Sequence, residues 1–170
     1  MHPKAEFYID KLKLIPHPEG GFYSEVYRSD EVFNAGCIST RYINKRNISS
    51  SIYFLLEGEQ VSHFHRLKSD EVWHFYDGCS LTIYLIDRAG QMKKIFLGNN
   101  IDKGERFQAV IERGLWFGAE LKEENSFSLI GCSVSPGFDF EDFEMGERNF
   151  LLKLSPTNKE IIEKLTKLNR

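Results

Sequence analysis

The stretch VSHFHRLKSDEVWHFYDG, residues 61–78, alternates apolar and polar residues in two short runs around a charged break. A period of two is strand patterning, and Val, Phe, Tyr and Trp favour strands. Lys68, Ser69 and Asp70 interrupt the alternation with turn chemistry, so 61–66 and 71–76 read as two strands. His63 and His65, two residues apart, should leave one strand face, with Cα atoms roughly 6.5–7 Å apart. A strand running back from Glu71 brings its carboxylate opposite that pair. Two imidazoles and a carboxylate with open positions suit a catalytic divalent metal such as Zn, Fe, Mn or Ni. Trp73 shares a face with Glu71, whereas His74 falls on the other.

Outward from this stretch the chain keeps the same texture. Short strand-like runs occur at 22–28, 37–43, 50–56, 81–86, 92–97, 107–111, 115–121 and 127–134, joined by turns carrying EG, DG, AG, DKG and ERG. Many short strands at about ten-residue spacing predict a sandwich or barrel. Residues 3–14 open with Pro3 and place Ala5, Tyr8, Ile9 and Leu12 at helical spacing. Residues 156–168 follow Ser155 and Pro156, with Ile161, Ile162, Leu165 and Leu168 as an apolar stripe. The expected organisation is one mostly β domain over 1–170: a helix at about 3–14, a barrel at about 22–152 and a helix at about 156–168.

Composition bounds the function. The 170 residues contain 14 Phe and 7 Tyr, an aromatic excess that leans toward β structure. A formal net charge of -3 gives no general attraction to nucleic acid or to an anionic membrane. No run approaches the roughly 18 apolar residues of a membrane span. Cys37, Cys79 and Cys132 are odd in number and lack C-x-x-C spacing, and the N-terminus lacks a secretory apolar core. A cytoplasmic protein with reduced cysteines is expected.

The central stretch resembles the first cupin motif: a glycine, His-x-His, a short loop, Glu, six residues and Gly. Glu71 through Gly78 matches the last part in full, while Gly58 stands one residue late and the loop from His65 to Glu71 is slightly long. Further stretches resemble one branch of that superfamily, an uncharacterised cupin family classed as a domain of unknown function. They are PHPEGGFYSEVYRS (16–29), SSSIYFLLEG (49–58), HRLKSDEVWHFYDG (65–78), RFQAVIERGLWFGA (106–119) and SPGFDFEDFEMG (135–146). The resemblance implies a cupin jelly-roll β-barrel, often dimeric and similar in fold to dTDP-sugar epimerases, with no activity attached. The second cupin motif normally reads P-x-G-x-x-His. Here Glu112 replaces the proline and Phe117 stands at the metal histidine's position. Members of this branch commonly keep the histidine matching His65 without the one matching His63.

Two functional classes follow. In an epimerase- or isomerase-like enzyme on a sugar or nucleotide sugar, His65 is the base, oriented by Glu71 or Asp70. In a metal-dependent enzyme, His63, His65 and Glu71 hold the ion. A non-catalytic ligand-binding module is the third class, because this scaffold hosts all three. Tyr53, Trp73, Gln108 and Trp116 are candidate ligand contacts in a mostly apolar cavity. His17 and Glu19 beside Gly20 and Gly21 read as a turn. Residues 136–146 read as a segment anchored by Phe138, Phe140 and Phe143 with its acids in water, and the resemblance implies that it packs near the barrel mouth. The partners expected are a small molecule and a second copy in a homodimer, not nucleic acid or membrane.

Overall fold

The computed structural model describes residues 1–37 and 39–168. Helix α1 (Pro3–Lys11) leads to β1 (Ile15–Pro16), β2 (Phe22–Arg28), β3 (Val32–Phe33), β4 (Arg46–Asn47) and β5 (Ser50–Glu57). Then come β6 (Val61–Leu67), β7 (Asp70–Gly78), β8 (Leu81–Ile86), β9 (Met92–Leu97), β10 (Gln108–Ile111), β11 (Trp116–Leu121), β12 (Phe127–Ser135) and β13 (Phe143–Met145). Helices α2 (Arg148–Leu154) and α3 (Lys159–Lys164) follow. The protein is mostly β, as expected.

The strands form two open sheets rather than a closed barrel: a six-stranded sheet ordered β1-β2-β5-β12-β7-β10 and a five-stranded sheet ordered β13-β6-β11-β8-β9. Between them lies a core of Phe54, Leu56, Trp73, Ile83, Ala109, Phe117, Ile130 and neighbours. Both sheets are also covered on part of their outer faces. Leu55, Phe127 and Leu129 meet Ala5 and Leu14 at α1, while Phe64, Tyr84, Ile86 and Trp116 meet Leu151, Ile162 and Leu165 at α2 and α3. Strands buried on two faces carry continuous apolar runs, which explains why FLL at 54–56 does not alternate.

Three expectations change. Residues 37–43 form turn and coil instead of a strand, with Ile38 outside the described residues. There Tyr42 Oη donates to the Lys68 carbonyl at 3.2 Å, and Arg41 Nε to the same oxygen at 3.0 Å, so the segment is spent on the 68–69 turn. The strand region does not run to 152, because the Glu147 carboxylate accepts the backbone N–H groups of Asn149 and Phe150 and starts α2. The last helix is correspondingly shorter than 156–168, with a 3₁₀ turn at Pro156–Asn158 preceding α3.

The third change matters most. Strands β6 and β7 do not pair with each other. β6 pairs with β11 and β13, β7 with β10 and β12, and the 68–69 turn carries the chain from one sheet to the other. Residues expected across a hairpin instead face each other across the sandwich.

Candidate functional site

A cavity of about 260 Å³ opens between the sheets, lined among others by Glu19, His65, Glu71 and Cys132. Glu19 comes from the loop after β1. There Gly20 has φ +113° and Gly21 φ +68°. A Cβ on Gly20 would strike the Val61 carbonyl, and one on Gly21 would lie 2.6 Å from the Leu55 carbonyl oxygen. Only glycine lets this loop lie so close to β5 and β6. The Glu19 carbonyl then accepts the His63 backbone N–H at 2.8 Å, which ties the loop to β6.

β6 meets the loop through a bulge. His65 is opposite Phe117, but Ser62 is opposite Ala119, so three steps along β6 match two along β11. An extra residue breaks the alternation of a strand. Ser62 and His65 therefore both reach Glu19, whereas His63 is left off the cavity lining.

The hydrogen bonds assign the protons. His65 Nδ1 lies 2.8 Å from the His63 carbonyl oxygen, so it carries a hydrogen and donates. Its Nε2 stands 3.1 Å from Glu19 Oε2, and one proton lies between them. Burial holds the His65 pKa down to about 3. Burial and the nearby Glu71 carboxyl push Glu19 well up, against the Ser62 hydroxyl that donates to its Oε1 at 2.8 Å. Both shifts place the proton on Glu19, with neutral imidazole accepting it. His17 Nδ1 accepts the Glu19 backbone N–H at 3.2 Å and lies 3.4 Å from the same Oε2. Burial lowers His17 to about 4.

Glu71 approaches from the opposite sheet. Its side chain is buried, and burial pushes its pKa up to about 7, opposed by the Trp73 indole N–H and the Cys132 thiol beside it. That indole nitrogen makes no hydrogen bond of full geometry. The carboxyl is thus half ionised near neutrality in an apolar wall. The Cys132 thiol, buried beside two carboxyls, is pushed well up and stays protonated.

Aromatic rings and one guanidinium make the mouth. Tyr23 stands edge-on to His17 with centroids 4.6 Å apart, and Phe138 and Phe140 pack 5.0 Å apart at the rim. The Phe138 carbonyl accepts from Arg28 Nη1 at 2.9 Å. Behind the rim Asp142 takes a bidentate pair from Arg46, at 2.6 and 2.9 Å, with Lys68 at 3.2 Å. Asp142 is therefore buried structure, not one of a row of acids in water.

Of the expected site residues, His65 and Glu71 line the cavity together, and Trp73 lies in the core beside Glu71. The others lie elsewhere. Asp70 accepts the Arg113 backbone N–H at 2.8 Å outside the cavity and does not orient His65. Gln108 is exposed on the β10 edge. Trp116 packs under α2 and α3, with Arg66 over its ring at 4.4 Å. Tyr53 faces the α1 side, 6.0 Å from Tyr76. Sequence reasoning passed over Glu19 and His17 as turn residues. Their signal was the glycine pair, which marks close backbone approach as well as a turn.

The donors do not fit a metal. His63 Nδ1 is bonded to the Glu19 carbonyl at 2.5 Å, His65 Nε2 faces Glu19, and Phe117 lies 4.0 Å from the His65 ring where a further histidine would stand. Among the described residues no group of three or more His, Cys, Asp or Glu side chains is arranged to hold an ion. The set His63, His65 and Glu71 is not assembled.

Comparison with known proteins agrees with this frame. A family described as Cupin superfamily (DUF985) matches residues 6–146. The uncharacterized protein YML079W of Saccharomyces cerevisiae is 31% identical, over 79% of this chain and 71% of its own. The solved structure of protein SO0799 from Shewanella oneidensis is 42% identical with a TM-score of 0.88, covering 97% of this chain and 98% of that one. A hypothetical protein from Leishmania major is 33% identical with a TM-score of 0.85, covering 96% and 99%. Oxalate decarboxylase from Bacillus subtilis shares the fold alone, at 15% identity and a TM-score of 0.54, over 88% of this chain and 36% of that one.

Proposed function

The chain belongs to the cupin superfamily, in the family DUF985, and from that premise we propose that it is a small-molecule enzyme of the isomerase or epimerase type. One observation carries the proposal: Glu71 on one sheet and the Glu19–His65 pair against the other face into the same cavity. An epimerisation needs one group to remove a proton beside a carbonyl and another to steady the oxygen. Glu71, titrating near neutrality, suits the first task. His65, expected as the base, has its Nε2 committed to Glu19. The pair instead holds one proton that it can lend to the developing oxyanion, with the C–H electron pair moving into the carbonyl. Glu71 then gives its proton to the adjacent carbon of the enediol while the pair takes one back from the second hydroxyl, which completes an isomerisation. Inversion at the first carbon needs the proton delivered from its other face.

The substrate is compact. The cavity, at about 260 Å³, is smaller than the roughly 300–1,000 Å³ of pockets for drug-sized ligands. Among its described lining residues Arg28 is the one Arg or Lys, and its guanidinium is paired with Glu25 at 2.6 Å. Both points favour a sugar-sized ligand over the nucleotide sugar that the resemblance to dTDP-sugar epimerases implied. The edge strand β10 with exposed Val110, next to exposed Phe107, supports a homodimer, and three free cysteines support a cytoplasmic location.

The test is solvent-deuterium exchange into a panel of small hydroxy-carbonyl compounds, followed by proton NMR. Catalysed exchange at the carbon beside the carbonyl is expected, falling by about 10²–10⁴ in Glu71→Gln. Exchange that survives this substitution unchanged contradicts the assignment.

A further inference from the structure

The cavity has an unusual balance of groups. Four carboxyl side chains line it, those of Glu19, Glu25, Glu71 and Asp139, against the single guanidinium of Arg28. Arg28 keeps one free N–H, on Nη2, and its charge is already balanced by the Glu25 carboxylate. Its Nε and Nη2 bond to the Glu25 carboxylate, and its Nη1 bonds to Asn47 Oδ1 at 3.1 Å and to the Phe138 carbonyl. His65 and His17 are both turned to Glu19. Glu19 is satisfied by Ser62 and His65, Glu25 by Arg28, and Asp139 accepts the Glu141 backbone N–H at 2.9 Å.

Glu71 differs. Only 8% exposed, it faces the cavity, and no hydrogen bond of full geometry reaches its carboxyl; the Trp73 indole N–H and the Cys132 thiol lie alongside. Among the described lining residues no cation is paired with it, so the ionised carboxylate has no counter-ion in the cavity wall. The rest of the wall mixes the aromatic rings of Tyr23, Phe54, Phe138 and Phe140, with His17 among them, and the aliphatic side chains of Ile52, Leu67 and Val134. Ring faces attract a cation and do nothing for an anion.

We infer that the ligand of this cavity carries a positively charged amino group, seated against one carboxylate oxygen of Glu71, with the other left free for proton transfer, and flanked by these aromatic side chains. This deepens the proposed function and rests on its small-molecule reading. It names the substrate class as a compact amine-bearing carbonyl compound, of which an amino sugar is the simplest kind.

Matched pairs of probes separate charge from shape. Glucosamine with glucose, and cyclohexylamine with cyclohexanol, are titrated into the intact protein by calorimetry. Each amine is expected to bind at least about tenfold more tightly than its neutral twin, and Glu71→Gln to erase that preference. Phe140→Ala alters a side chain that is 55% exposed at the rim and leaves the core untouched. It should weaken amine binding about two- to fivefold more than it weakens binding of the neutral twin. Equal or tighter binding of the neutral twins overturns the inference. So does failure of both amines to bind at millimolar concentration, or an amine preference that persists in Glu71→Gln. Deuterium exchange into neutral sugars that is lost in Glu71→Gln leaves the proposed function standing while this inference falls. Amine binding without exchange into any carbonyl compound does the reverse.

Discussion

Glu71 lies in an apolar wall, and burial lifts its pKa from 4.5 to about 7. The folded state therefore holds its proton more tightly than the unfolded chain does. Stability from this group is complete below about pH 4.5, declines as pH rises toward 7, and is level above it. The rise corresponds to roughly 3 kcal/mol at most. His65 and His17 work in the opposite sense: their folded pKa values lie near 3 and 4, below the usual 6.5, so their share is lost as pH falls from 6.5. Comparing Glu71→Gln with the parent isolates the first effect. The variant's melting temperature, taken relative to the parent's at each pH, should climb between pH 5 and 8 and then stay constant. A flat difference across that range means that Glu71 is solvated. His65 and Glu71 could be named from spacing alone, because both lie in one motif. Glu19 could not, because it meets Ser62 from 43 residues away, through a contact that only the folded glycine turn makes.

Among the elements, the irregular ones build the site. The β6 bulge turns His63 off the cavity lining, and period-two reasoning, which assumes an unbroken strand, put both histidines on one face. The bulge shifts the phase of the alternation, but Ser62, His63 and His65 around the single apolar Phe64 give too little contrast to show the shift. The rim segment 138–143 is held from behind by the buried Arg46–Asp142 pair. Breaking a buried pair strands a charge, so Asp142→Ala should cost about 3–5 kcal/mol in urea unfolding. The double change Arg46→Met with Asp142→Leu removes both charges and should recover most of that loss. A double variant as unstable as the single one argues against the ion pair as the cause.

For the whole molecule, the mostly β fold and the position of nearly every long strand were legible, because alternating runs and turn residues repeat along the chain. Sheet membership was not. Residues 61–66 and 71–76 look like two arms of a hairpin, and local pattern carries no information on which distant strand each arm will pair with. Pairing with β11 and β12 instead separates them into facing sheets, and that separation makes room for a cavity. The helices that cover the outer faces account for the continuous apolar runs that alternation alone leaves unexplained. A carboxyl on one sheet and a proton-sharing imidazole–carboxyl pair against the other are the outcome. Infrared spectroscopy of protein labelled with carbon-13 glutamate reads this arrangement directly. The carbonyl stretch of a protonated glutamic acid should persist at pH 6 and lose a component with a midpoint near pH 7 that is missing from Glu71→Gln. A spectrum with every glutamate already ionised at pH 6 would contradict the account.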